Sequence, residues 1–144
     1  MTKIVYNRCF GGFSVSRKAI ERYAERKGLT LYWETSKYGL ETAWTIPPEA
    51  RPTELEGDAW HKATQEERIS YNQFLADHRL SPYTGFSRTD PDLVAVVEEL
   101  GKEASGFCAD LAIAEIPEGA RYRIDENDGN ELVMTPDDYE WSIA

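Results

Sequence analysis

Cys9-Phe10-Gly11-Gly12-Phe13-Ser14-Val15-Ser16 is the stretch of this chain whose residue types and order come nearest to a prepared chemical site. It follows a β-branched and aromatic run, Lys3-Ile4-Val5-Tyr6, and leads into a charged, helix-like segment from Arg17 to Lys27. Glycine lets a backbone approach a ligand closely, and the free N–H groups of a helix start carry partial positive charge. Gly11, Gly12, Ser14 and Ser16, in the positive field of Arg8, Arg17 and Lys18, would therefore suit a phosphate or a nucleotide. The same residues fit a tight turn that turns Phe10 and Phe13 into the core. No third glycine follows Gly12 at dinucleotide-fingerprint spacing, and the Gly-Lys-Ser/Thr end of a phosphate loop is missing.

A second candidate surface lies further on. Pro47, Pro48 and Pro52 fall in a stretch with Glu54, Glu56 and Asp58, flanked by Trp44 and Trp60. Tryptophan offers a large area to bury in an interface, and carboxylates steer a basic partner toward it. These two Trp equally suit a core. Other chemistries find less support. His61 and His78 stand without a neighbouring nucleophile or carboxylate. Glu66-Glu67 and Glu98-Glu99 fall on helices, where adjacent residues diverge and share no proton. Asp125-x-Asn127-x-Gly129 places its glycine wrongly for a calcium loop and reads as a hairpin turn. Cys9 and Cys108 lack metal-like spacing, so they read as reduced, buried thiols rather than a disulfide or zinc site. No metal, cofactor or catalytic residue is expected.

The elements that must position these residues follow from periodicity and punctuation. Ala19, Ile20, Tyr23 and Ala24 make an apolar stripe on a helix capped by Ser16 and Gly28. Leu29 to Thr35 reads as a strand, placed parallel to the first by a right-handed crossover. Ser36 to Gly39 turns the chain into an antiparallel return over Leu40 to Ile46. Residues 47–62 read as an irregular surface excursion. Thr64-Gln65-Glu66-Glu67 is a capping-box start for a helix with Ile69, Tyr71, Phe74, Leu75 and His78 on its apolar side. Asp90-Pro91 opens another, with Leu93, Val94, Val97 and Leu100 on one face and Gly101 as its stop. Strands follow over 110–116, 121–126 and 131–134, the last two joined at Asn127-Asp128-Gly129-Asn130. The expectation is one α+β domain over residues 1–144, a mixed sheet with about three helices packed on it.

Composition narrows the class. In 144 residues there are 26 acidic and 16 basic side chains, a net charge of −10. The first 28 residues carry seven basic and two acidic groups, whereas the last thirty carry nine acidic and two basic. That balance disfavours direct contact with nucleic acid or anionic lipid and favours a basic partner. No apolar run reaches the ~20 residues of a membrane span, so a cytoplasmic protein is expected.

Two blocks resemble small accessory proteins of tailed phages and prophages. One is Lys3 to Ser16 with its following helix. The other runs from Arg88-Thr89-Asp90-Pro91 through Val96-Val97-Glu98-Glu99-Leu100-Gly101 to Glu115-Ile116-Pro117 and Asp125 to Gly129. Residues 35–83 match nothing in that group, and Tyr139-Glu140-Trp141 departs from its His-Arg ending. The resemblance implies a setting rather than a reaction: a non-enzymatic modulator or inhibitor that binds a host protein, such as a defence or nucleic-acid-handling protein, through an acidic surface. Against this stand two other classes, a phosphate or nucleotide sponge built on Gly11-Gly12 and an enzyme assembled from scattered residues.

Overall fold

Ser16 accepts the Ala19 N–H at 3.1 Å, which satisfies one free donor at the start of α1 (Arg17–Lys27), and Gly28 closes the helix at φ 71°. The buried stripe is Ala19, Ile20, Tyr23 and Ala24, as the spacing dictates. Asp90 caps α4 (Pro91–Leu100) through the Asp92 N–H, Pro91 takes a first-turn position that needs no donor, and Leu93, Val94, Val96 and Val97 are buried. The two helices pack on each other. Their facing sides are ion-paired: Arg22 with Glu99, Arg26 with Asp92, and Lys27 with both Asp90 and Asp92. The basic amino-terminal segment is thus neutralised internally by the acidic start and end of α4.

The computed structural model describes residues 1–139 and 141–144. Its remaining elements are β1 (Thr2–Asn7), β2 (Tyr32–Thr35), β3 (Glu41–Trp44), α2 (Asp58–Lys62), α3 (Gln65–His78), β4 (Arg79–Leu80), β5 (Leu111–Ile116), β6 (Arg123–Asn127) and β7 (Asn130–Met134). Together they form one α+β domain. The strands make three small sheets, β1-β5, β2-β3-β4 and β6-β7, and every pairing is antiparallel. The expected parallel pairing of the first two strands does not occur. One edge of β1 is taken by β5, from Thr2↔Ile116 to Asn7↔Leu111. The other edge is closed by the Arg88 carbonyl, which accepts the Val5 N–H at 2.8 Å. No edge of β1 is left for β2.

The hairpins follow their turn chemistry. Asp128 and Gly129, at φ 53° and 88°, form the two-residue loop that matches strand twist and joins β6 to β7. Residues 47–62 are not wholly irregular: Pro48–Ala50 is a single 3-10 turn and α2 begins at Asp58, although none of these residues is buried. Proline supports a first helical turn because its fixed φ suits it, so prolines there marked starts as well as breaks. The core gathers Val5, Val15, Ile20, Tyr23, Ala43, Leu80, Leu93, Val96, Val97 and Leu111 from α1, α4, the β1-β5 pair, the β3-β4 pair and the loop before α1. No helix among the described residues is long and apolar enough to cross a membrane.

Candidate functional site

The glycine-serine turn after β1 is occupied by the protein itself. A Cβ on Gly11 would lie 1.9 Å from the Cys108 carbonyl oxygen, so this glycine exists to let two backbones meet. Gly12, at φ 88°, lies under the tip of the β6-β7 hairpin, where a Cβ on Gly129 would sit 2.4 Å from its nitrogen. Ser14 is buried and donates to the Phe107 carbonyl at 3.3 Å. Ser16 caps α1 and donates to the Glu103 carbonyl at 2.5 Å. Arg8 pairs with Asp110. Arg17 is held by Glu21 and Glu41 and lies 4.1 Å from the Trp33 ring centroid. Phe10 is exposed, contrary to the core position that the tight-turn reading gives it, whereas Phe13 is half-buried under the guanidinium of Arg88 at 3.6 Å. The structure brings these six polar and glycine positions into one region, and it gives Arg8, Ser14, Ser16 and Arg17 internal partners. Beside them runs an open groove of 570 Å³, with Ser14 to Arg17 on one wall and Leu40, Tyr83 and Phe107 on its rim.

The second set separates. Trp44 is 5% exposed in β3, with the guanidinium groups of Arg51 and Arg79 over its ring at 4.9 and 5.8 Å, so it belongs to the core rather than to a contact surface. Its place in the middle strand of a sheet accounts for this, and no local sequence signal distinguished it from a rim Trp. Trp60 is half-buried on α2. Arg68 donates to the Trp60 carbonyl at 2.8 Å and the His61 carbonyl at 3.1 Å, capping α2 and tying it to α3. Glu54, Glu56 and Asp58 are exposed, as are Glu49, Glu66, Glu67 and Asp77, and none of these seven makes an ion pair among the described residues. The 14-residue α3 that follows has no fully buried side chain. Ile69, assigned to its apolar side, is 61% exposed, while Tyr71, Phe74, Leu75 and His78 are half-buried. The misplacement comes from a weak stripe that includes one apolar residue a step off the face.

Two features escaped the sequence. Arg88 and Glu131 form a two-pronged ion pair at 2.7 and 2.9 Å, and Glu131 also accepts the Asn7 N–H at 2.8 Å. Forty-three residues of separation hid the pair. At the other end of the hairpin, Tyr122, Tyr139 and Trp141 line an open hollow of 400 Å³ with Arg121, Arg123 and Met134. Trp141 is 91% exposed, and the density of aromatics near the end of the chain was the available signal. Cys9 and Cys108 are not buried as expected, the first being half-buried and the second exposed. No family model, curated protein or solved structure matches this chain.

Proposed function

We propose that this protein acts by docking, as a phage or prophage accessory protein that covers a basic face of a host protein in the host cytoplasm with the acidic arm formed by residues 47–78. One observation carries the reading: seven exposed carboxylates, without ion-pair partners among the described residues, lie on an arm whose 14-residue helix has no fully buried side chain. Helices of that length draw most of their stability from packing a face, and α3 packs its face only in part, with Tyr71, Phe74, Leu75 and His78 half-buried. Unpaired carboxylates attract a basic surface over roughly a Debye length, ~8 Å at physiological salt, and a surface that normally holds nucleic acid offers that charge. Trp60, half-buried on the same arm with the Arg68 guanidinium 5.3 Å from its ring centroid, supplies an aromatic anchor.

The test is capture of nucleic-acid-binding proteins from host lysate at low and high salt, with a Glu54→Gln, Glu56→Gln, Asp58→Asn triple variant beside the wild type. The expected result is capture that weakens with salt, falls at least ~10-fold in the variant, equivalent to ~1.4 kcal/mol, and is competed by DNA. Capture indifferent to salt, neutralisation and DNA would sink the reading. The 570 Å³ groove beside Ser16 and Arg17 favours a second reading, a phosphate or nucleotide binder. A nucleotide panel in thermal denaturation separates the two, because a ligand bound only by the folded state must raise the melting temperature as its concentration rises.

A further inference from the structure

The two cysteines of this chain are 99 residues apart in sequence and meet in space. The antiparallel ladder of β1 and β5 continues one step past its last pair, Asn7↔Leu111, through the bond from the Arg8 N–H to the Asp110 carbonyl at 2.8 Å. Cys9 and Cys108 stand at the end of that ladder. The Cys9 thiol donates to the Cys108 carbonyl at 2.8 Å. A carbonyl oxygen is two bonds from its own Cα, so the Cys9 sulfur lies within about 5 Å of the Cys108 Cα, which puts the two residues side by side.

Two further observations point the same way. Cys108 holds φ 60°, a left-handed conformation that favours glycine, and its side chain lies on the Gly11 side of the loop, where a Cβ on Gly11 would be 2.3 Å from the Cys108 Cβ. Cys108 is exposed and Cys9 half-buried, so one thiol is open to a reagent and the other stands behind it. A structural pair of small apolar side chains would show neither the exposure nor the strained backbone.

We propose that Cys9 and Cys108 are a redox pair that closes to an intramolecular disulfide when a low-molecular-weight disulfide such as oxidised glutathione is present. The Cys108 thiolate attacks one sulfur of the small disulfide and expels the first small thiolate, leaving a mixed disulfide on Cys108. The Cys9 thiolate then attacks the Cys108 sulfur and expels the second. Two protein thiols lose two protons and two electrons, and the small disulfide becomes two thiols. The new bond ties the loop after β1 to the loop before β5, beneath the hairpin tip, where Gly129 rests against Phe10 and Gly12. Joining residues this distant removes much of the unfolded chain's freedom, so oxidation raises the melting temperature by on the order of 10 °C.

The experiment incubates the full chain with oxidised glutathione and compares it with chain held in dithiothreitol. The expected product is a monomer lighter by two hydrogens, with a peptide joining Cys9 to Cys108 in a non-reducing digest and a melting temperature that rises and returns on reduction. Cys9→Ser, first shown to melt normally in reductant, should take a glutathione adduct on Cys108 and gain no stability. Should Cys9→Ser fold poorly, Cys108→Ala tests the pair from the other side, forming no intramolecular bridge and gaining no stability with oxidised glutathione. Adducts on both cysteines, unreacted thiols, or a bridge between two copies, in protein shown to be folded, would each overturn the proposal.

Discussion

Arg88 holds the carboxy-terminal hairpin on the body. Its carbonyl accepts from Val5, its guanidinium donates to the Val5 carbonyl and to both oxygens of Glu131, and its plane covers Phe13. The Glu131 side chain is 9% exposed, so removing its partner strands a nearly buried charge. Arg88→Ala is expected to cost roughly 3 kcal/mol in urea denaturation, and Arg88→Lys to recover little, since an ammonium cannot reproduce the planar fork. A second polar cluster makes stability depend on pH at both extremes. Burial would raise the Asp90 carboxyl, but the bonds it accepts from Tyr23, the Asp92 N–H and Lys27 outweigh burial and hold it below its ordinary 3.8. The Tyr23 phenol is pushed up to about 12, by burial first and then by its bond to Asp90. A depressed carboxyl stabilises the fold above its unfolded value, and that contribution drains away as pH falls through the folded one. A raised phenol contributes fully below its ordinary 10.0, and that contribution is lost as pH rises toward 12. Melting temperature followed across both ranges should therefore fall at each end, with Asp90→Asn flattening the acid limb and Tyr23→Phe the alkaline one.

The helices differ in kind. α4 fully buries four side chains and α3 none, so the two should separate by amide exchange, α4 opening only with the whole fold and α3 by local fraying. Truncation should show the same contrast: Leu93→Ala is expected to cost about 2–5 kcal/mol, and Ile69→Ala within about 0.5 kcal/mol of nothing. Ser16, Gly28, Asp90, Pro91 and Gly101 announced their helix ends in the sequence because capping is chemistry between residues a few positions apart. Strand partners were not announced. β1 and β5 are separated by more than a hundred residues, and nothing within the Lys3 to Tyr6 run states which distant segment will lie beside it. The glycine turn misled for the same reason. Gly11 and Gly12 have the look of a ligand cradle, and what they accommodate is the backbone at Cys108 and Gly129. Gly11→Ala is accordingly a packing lesion rather than a probe of binding, expected to lower the melting temperature with no nucleotide present.

Across the whole molecule, the hairpin joins the two ends of the chain. Val5 belongs to the helix-facing core, while Ile4 points to the opposite face and is also fully buried, and β7 packs on β1 as β5 and α4 do. Deleting residues 121–144 should expose that face and strip the Asn7 N–H of its Glu131 partner, leaving a chain without a cooperative melt by circular dichroism. Charge is arranged on the same scale. The cations of α1 are spent on α4 and on Glu21, Glu41 and Glu103, so the net −10 is displayed by the middle arm and the tail, where a salt-dependent partner would meet it. The sequence by itself determined the α+β class, the ends of α1 and α4, the β6-β7 turn and the acidic surplus, because each depends on residues near one another or on composition alone. Tertiary structure decided that the glycine turn is a packing joint, that Trp44 is core, that Arg88 meets Glu131 and that the two cysteines are neighbours. Each of these rests on contacts between residues far apart in the chain, and such contacts exist only once the strands have chosen their partners.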